Sequence, residues 1–432
     1  MNIWIVTIYE PLPFGAIGTR PQRCGMLAKA LLERGHSVEL WTSAFDHVSH
    51  KHIHAQSLLE KVGDRMSIQF IKGCGYPNDL SPKRFFHNRQ TGREFTRLAN
   101  HHNELPDMIF APVPIMELAD AAVNYANRNN IPVIVDVRDL WPDIYLTMVP
   151  KFVQPLARVL LYPEYERAKK IFKNATGITA VSKVYLHKGL SYAQRDSRDS
   201  DRFFPLGSGD TVTPNLIQSD MTADSTVLKY GIDQKQFIVT YVGTFSKFYD
   251  IQNILDAARL LIDKRNIRLF IIGQGEHSAE FFKIACSLPN VTMTGWLNAV
   301  EVQRILAKTN VGLVAYSKDA IMSLPNKPFE YMAAGLPLLS SLPGELEQLI
   351  QEHGIGSNYK AGDPVSLAEG IRWFYDHPEQ TSQMSERSLT LFSTNYRSEI
   401  VYEEFSKYLE GIVLQNGGKY SNELRRSQIK GN

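Results

Sequence analysis

Cysteine is scarce in this chain: three residues in 432, Cys24, Cys74 and Cys286, lie far apart. That spacing supplies neither a disulfide framework nor a zinc ligand set, and a reducing compartment is the simplest reading. Long apolar runs are also lacking. None reaches the ~18–20 residues of a membrane span, so a soluble protein, or one held peripherally at the inner face of the cytoplasmic membrane, is expected. The first residues, MNIWIVTIYEPLP, carry no basic flank and no small-residue cleavage site, and read as a buried strand rather than a secretory signal. Excess charge is missing too. A formal net charge of +2 gives no global attraction to nucleic acid, so any basic surface has to be local.

What is present is an ordinary globular composition, 44% hydrophobic and 21% charged, on a chain too long for one core. Two domains of ~200 residues follow. Apolar strand-like runs alternate with helical patterns throughout, which predicts α/β architecture. The first half opens with the strand Asn2–Ile8, the helix Arg20–Arg34 with Gly35 as its stop, and the strand Ser37–Thr42. Asp107–Ala111, Val133–Asp136 and Gly177–Val181 are further strands. A polar stretch, Ser191–Pro214, lacks periodicity. The second half restarts with Phe237–Val242, the helix Ile251–Leu261, Arg268–Ile272 and Val291–Thr294. The expected division is 1–205, 206–395, an amphipathic helix 396–416 returning toward the first domain, and a polar tail 417–432. Both halves read as doubly wound sheets facing each other across a cleft, and such sheets bind ligands at the carboxyl ends of their strands.

The densest pattern is residues 311–350. The strand Val311–Tyr316 leads through a polar loop to a helix opening at Pro328 and closing at Gly335. The strand Leu336–Ser340 and a second helix start at Pro343–Gly344 follow. Helix N-termini present free N–H groups and partial positive charge, which suits phosphate. Asn326 and Lys327 enter the first helix, and Glu330 can accept two hydroxyl hydrogens from a ribose diol, although an isolated acid there equally complements the helix dipole. Glu345 and Glu347 read as first-turn acids, and Gly344 allows close backbone approach.

Other strand ends carry further candidates. Gly15 and Gly18 stand in the loop after the first strand. The sequence DVRDLWPD after Val133–Val135 places Arg138 and Asp139 at a strand end. Arg138 could bind a phosphate or carboxylate bidentately, and Asp139 could orient a hydroxyl or assist proton transfer; the alternative is an Arg–Asp pair bracing the loop. After Phe237–Val242 come Gly243, Thr244 and Lys247. Gly273 and Gly275 begin a dinucleotide-like pattern that Ser278 leaves incomplete, weak evidence by itself. With Trp296 they could wall a base pocket.

Taken in order, PLPFGAIGTRPQRCGMLAKALLERGHSVELWTS, VIVDVRDLWPD, ITAVSKVYL, IVTYVGTFSKFYDIQNILDAARLL, LFIIGQGE, VTMTGWL and NKPFEYMAAGLPLLSSLPGELEQLI resemble the GT-B retaining glycosyltransferases of family 4, of the bacterial O-antigen and capsule aminosugar type. The resemblance implies a nucleotide-diphosphate sugar donor, UDP-linked, and a saccharide or polyprenyl-diphosphate-linked acceptor. By it Glu330 matches the ribose-holding glutamate, and Lys327 and Lys247 match positions that neutralise the diphosphate. Gly15 matches the phosphate-side loop glycine, and Gly273, Gly275 and Trp296 fall where the base is held. No metal or other cofactor is implied, since protein cations replace it. The family's earlier glutamate of Glu-x7-Glu is Met322 here, with Asp319 the nearby acid. Its His-Asp pair reads Arg138–Asp139, its loop arginine reads Thr244, and its Asn-Gly reads Leu206–Gly207. The missing acid suits a deoxy- or amino-sugar. Two alternatives remain: a GT-B nucleotide-sugar 2-epimerase, and a non-catalytic partner subunit.

The one D-x-D, Asp199–Ser200–Asp201, lies in the polar break and reads as a solvated loop. Residues 83–97 interleave Lys83, Arg84, Arg89, Arg93 and Arg97 with Phe85, Phe86 and Phe95, a pattern that can dock on an anionic membrane surface or form a solvated helix with a packed aromatic face. Phe152–Lys173 is a second such segment.

Overall fold

A computed structural model describes residues 1–10, 22–78, 81–208, 225–233 and 235–416. The chain divides into two compact units. The first comprises Met1–Pro205 together with the chain from Tyr402, and the second is Leu206–Val401.

The first unit is built on an eight-stranded sheet. Its strands are β1 (Asn2–Val6), β2 (Ser37–Ser43), β5 (Leu58–Gly63), β6 (Met66–Ile71), β7 (Met108–Val113), β8 (Val133–Val137), β9 (Gly177–Ala180) and β10 (Arg202–Phe203), with β3 (Phe45–Asp46) and β4 (Lys51–His52) pairing apart from it. The order is β10-β9-β8-β7-β1-β2-β6-β5, parallel except for β5. Strands β7 and β8 are buried along their whole length, as parallel strands covered on both faces must be.

Inside the otherwise apolar β8 stands Asp136, with no exposed surface. A buried carboxylate persists only when paired. Arg23, which opens the helix Arg23–Glu33, grips it with two bonds of 2.8 and 2.9 Å, and the Thr179 hydroxyl donates a third of 2.7 Å. Arg23 also donates to the Phe204 carbonyl at 3.0 Å and lies over the Phe405 ring. One guanidinium thus joins β8, the end of β10 and the C-terminal helix. Burial would lower the Arg23 pKa, but Asp136 beside it raises it above the ordinary arginine value.

The D-x-D segment is solvated only in part: Asp199 is exposed, Asp201 is not. Asp201 is buried, takes Arg195 at 2.5 and 2.7 Å, and accepts the Ile178 N–H at 2.8 Å. It pins the edge of β9 where β10 joins, so a loop expected from polarity alone is a structural brace. In the segment 83–97, a single helix, Pro82–Asn100, carries all the residues. Phe95 is fully buried against Trp4 and Trp41, Arg97 pairs with Glu94, and Arg84 lies over the Tyr9 ring. Phe95 and Arg84 belong to the fold; Arg97, Phe85, Phe86, Lys83, Arg89 and Arg93 remain at the surface.

The second unit carries a six-stranded parallel sheet: β11 (Phe237–Val242), β12 (Ile267–Ile272), β13 (Val291–Gly295), β14 (Val311–Val314), β15 (Leu338–Ser340) and β16 (Gly356–Asn358), in the order β13-β12-β11-β14-β15-β16. The order reverses between β11 and β14, and a ligand crevice belongs at that reversal. The expected helix start at Pro328 is two residues late. The helix is Asn326–Ala333 with Pro325 as its extended cap, and Pro328 still lies in the first turn, where a missing N–H costs nothing. Gly344 caps the next helix, Glu345–His353, at φ 87°.

The C-terminal helix, Ser398–Gln415, leaves the second unit at Val401 and belongs to the first from Tyr402 onward. Its Phe405 stacks on Phe204 at 4.1 Å, and Glu410 takes Arg34 and His36 at 2.7 Å each.

Candidate functional site

The loop after β11 is fastened on both sides. Gly243 and Phe245 donate N–H bonds to the carbonyls of Ile272 and Gln274, at 2.9 and 3.1 Å, and Glu276 returns one to Phe245 at 2.9 Å. On the other side the Ser317 N–H donates to Phe248 and its hydroxyl to the Lys247 carbonyl, both at 2.9 Å. The carboxyl ends of β11, β12 and β14 therefore form one rigid rim.

Gly273 and Gly275 serve this closeness directly. A Cβ on Gly273 would stand 1.8 Å from the Gly243 carbonyl oxygen, and one on Gly275 would stand 2.1 Å from that of Phe245. Backbone passes backbone here, which accounts for both glycines without a base ligand. Gly273→Ala is expected to pry the two loops apart, costing ~2 kcal/mol of the second unit's stability. Calorimetric melts of the two proteins check this.

Lys327 reaches from the first helical turn back across this rim. A Cβ on Gly243 would meet its Nζ at 2.2 Å. The ammonium rests on the Tyr249 ring, 3.8 Å from the centroid, with Tyr241 at 5.3 Å and Tyr316 at 5.9 Å. Ring faces hold a partly desolvated cation well. Burial pushes the Lys327 pKa down to about 8, while Glu330, one turn further on, pulls it upward. The rings are locked in turn. Tyr241 donates its hydroxyl to the Thr244 carbonyl at 3.1 Å, and Tyr249 forms an antiparallel bridge with Tyr316. A cation is thus fixed at the reversal of strand order, beside a glycine that leaves its face open.

The remaining candidates of this unit scatter more widely. Thr244 and Lys247 are exposed, the Lys247 ammonium lying over the Phe248 ring. Asn326 is the exposed first residue of its helix. Trp296, after β13, is 70% exposed. Met322 packs against the apolar cluster of Leu324, Phe329 and Leu342, so it lines a core edge; Asp319 is exposed. Glu345 accepts the Ser323 hydroxyl at 2.8 Å and Glu347 the Gly344 N–H at 3.3 Å, local roles for both acids. A cavity of about 430 Å³ opens beyond the ends of β14, β15 and β16, lined by Ser317, Lys318, Ser341, Pro343, Asn358 and Lys360.

In the first unit the strand ends also gather charge, but differently from expectation. Arg138 pairs with Glu10, the residue four beyond β1. The same carboxylate accepts the Cys24 N–H at 2.9 Å, near the start of the helix Arg23–Glu33. The anion position at that helix start is therefore filled by the protein itself. Arg138 braces two strand ends rather than offering its fork to a phosphate; burial would lower its pKa, and Glu10 holds it up. Burial and then Glu10 push the Cys24 thiol well up, which leaves it inert. Asp139 is exposed at the end of β8, its pKa raised by its surroundings against the pull of Arg138. Gly15 lies outside the described residues. Among those residues no group of three or more His, Cys, Asp or Glu is placed to hold a metal.

Glu10 and the three tyrosines were not singled out in the sequence. Glu10 was findable as the acid of YEP directly after a strand. Tyr241, Tyr249 and Tyr316 look like ordinary core aromatics until the loops are closed.

Residues 225–390 match the family described as Glycosyl transferases group 1. The matched segment lies within the second unit, Leu206–Val401. The N-acetyl-alpha-D-glucosaminyl L-malate synthase of Bacillus anthracis is 22% identical over 200 residues, 45% of this chain and 52% of that one. The chain spans about half the length of the curated relatives it matches. Among solved structures, a sucrose-phosphate synthase from Thermosynechococcus elongatus superposes with a TM-score of 0.66 at 15% identity, over 100% of both chains. Anabaena HepE in complex with UDP-glucose superposes at 0.63 and 14%, over 95% of this chain and 100% of that one. The fold is GT-B, with two Rossmann-like units, and the Lys327 rim lies within the segment that matches the group 1 model.

Proposed function

We propose that this chain is a retaining glycosyltransferase of surface-polysaccharide synthesis. It moves a sugar from a UDP-linked donor to a saccharide or polyprenyl-diphosphate-linked acceptor. The observation that carries this reading is the Lys327 ammonium, fixed over Gly243 at the strand-order reversal within the segment that matches the group 1 model. There it neutralises a diphosphate, with Lys247, exposed on the loop after β11, as a second cation. In the reaction the acceptor oxygen bonds to the anomeric carbon as the carbon–oxygen bond to the diphosphate breaks. The acceptor proton passes to the departing phosphate oxygen. Protein cations stabilise the leaving charge, and the reading calls on no metal. Asp139 positions the acceptor hydroxyl. With Met322 committed to apolar packing, no carboxylate reaches the sugar from that position, which favours a deoxy- or N-acetylamino-sugar.

Glu330 holds the ribose diol in this reading. Glu330→Ala should weaken UDP binding about tenfold or more, the worth of hydrogen bonds to a charged acceptor. Wild-type protein should prefer UDP to 2′-deoxy-UDP, and the variant should lose that preference; titration calorimetry reads both. The function itself is tested by incubating purified protein with UDP-sugars and a lipid-diphosphate acceptor. UDP binding without donor consumption in the presence of acceptor would refute transfer.

A further inference from the structure

Between β8 and the helix Tyr162–Asn174 the chain makes a short turn of 3-10 helix, Lys151–Val153, and then the helix Gln154–Leu160. None of these ten residues is buried. Phe152, Leu156, Val159, Leu160 and Tyr162 are each at least 62% exposed, and Phe152 reaches 85%. The first four recur at i, i+4, i+7 and i+8, one face of a helix. The usual arrangement is inverted: the apolar stripe faces out, while Val153, Ala157 and Leu161 are the half-buried positions. Single exposed apolar residues are ordinary, but a contiguous stripe of large ones marks a docking face.

The charge around this stripe chooses the partner. From Lys151 to Lys173 there are six cations (Lys151, Arg158, Arg167, Lys169, Lys170, Lys173) against two acids (Glu164, Glu166), in a chain of net charge +2. Arg158 lies within the stripe's own helix and is exposed, as is Lys151. Arg167 ties this segment at 3.1 Å to Glu117, at the start of the helix Met116–Arg128. Exposed Phe85, Phe86 and Lys83 belong to the first turns of the helix Pro82–Asn100, which packs on that same helix. Apolar side chains that enter acyl chains, flanked by cations that meet phosphate headgroups, are the composition of an interfacial helix.

We propose that the helix Gln154–Leu160 and its flanking cations dock the first unit on an anionic lipid bilayer, with Phe152, Leu156, Val159 and Leu160 entering the acyl boundary. The proposal is compatible with glycosyl transfer but does not depend on it, because its readouts are lipid binding alone.

The full chain should float with vesicles of phosphatidylcholine mixed with phosphatidylglycerol and remain behind with phosphatidylcholine alone. Recovery should fall with salt, since the attraction is screened. The Phe152→Trp variant should shift its emission to the blue on adding the mixed vesicles. Phe152→Ser with Leu156→Ser and Leu160→Ser should lower partitioning by roughly tenfold or more per side chain removed, with the melting profile retained because all three are exposed. Lys151→Glu with Arg158→Glu should abolish the preference for anionic vesicles. Undiminished flotation of the triple serine variant, or an unmoved emission of the Phe152→Trp variant, would overturn the proposal. So would a wild-type dimer that the serine variant dissociates while neither binds vesicles; that result would assign the face to a second copy of this chain.

Discussion

Exchanging Lys327 for methionine should lower turnover by about 10²–10³, the usual effect of removing a fixed group that stabilises leaving charge, while the protein becomes harder to unfold. The two effects share one cause. The three tyrosines hold the ammonium where it is poorly hydrated, and its pKa is pushed down to about 8 from the ordinary 10.5. At neutral pH the fold therefore bears ~3 kcal/mol against the charged form. Methionine keeps the stem and removes the charge, so part of that cost is relieved. The pH dependence follows. The unfolded chain keeps its lysine proton up to about 10.5, whereas the folded chain gives it up near 8. Unfolded protein binds more protons between those values, and wild-type stability should rise with pH across that window. Donor affinity moves the other way: it should decline as pH rises through about 8, because neutral Lys327 no longer meets the diphosphate. In Lys327→Met the affinity profile should be flat over that range, and the lysine's share of the stability rise is read as wild type minus variant, a difference in which the opposing titration of the buried Cys24 thiol cancels. UDP titrations and urea unfolding at a series of pH values check all of these outcomes.

The second large effect belongs to the first unit. Arg23→Met should cost about 3–5 kcal/mol, the penalty for stranding one member of a buried ion pair. Asp136 has no solvent to turn to, and Thr179 supplies a single bond of 2.7 Å. The carbonyl of Phe204 loses its donor as well. Arg23→Met combined with Asp136→Leu should recover much of the loss, because the stranded charge is then gone; the shortfall from additivity measures the coupling. Trp4 and Trp41, both fully buried in this unit, report its unfolding by fluorescence. Full additivity of the two substitutions would show that the pair contributes nothing as a pair.

The strands and their alternation with helices were legible because fully buried parallel strands are apolar along their length. VIVDV and IVTYV could scarcely be anything else. The helix starts were legible to within three residues, Arg20 against Arg23 being the widest miss and Pro328 against Asn326 the next. The meeting of Lys327 with Gly243 was legible in part, since Gly243 directly follows β11 and Lys327 stands in the first turn of the helix after β14. What escaped is whatever depends on a partner distant in sequence. Arg138 looked available for a phosphate until Glu10, 128 positions earlier, was found on it. Asp201 looked solvated until Arg195 and the Ile178 N–H closed over it. The tyrosines around Lys327 come from three separate segments, so no spacing rule could assemble them. The exposed stripe at 152–160 has the periodicity of a buried helix, and periodicity does not say which way a face turns.

The helix Ser398–Gln415 has a consequence for the order in which the protein can be made. The first unit is not finished at Pro205. Its layer beside β7 and β10 stays open until Tyr402, Phe405 and Leu409, all fully or nearly fully buried, are supplied by the end of the chain. The second unit, Leu206–Val401, is continuous. On the ribosome, where domains fold as units while the chain emerges, the unit that begins last can therefore close first. The N-terminal half waits with Phe110 and Phe204 uncovered until Phe405 arrives.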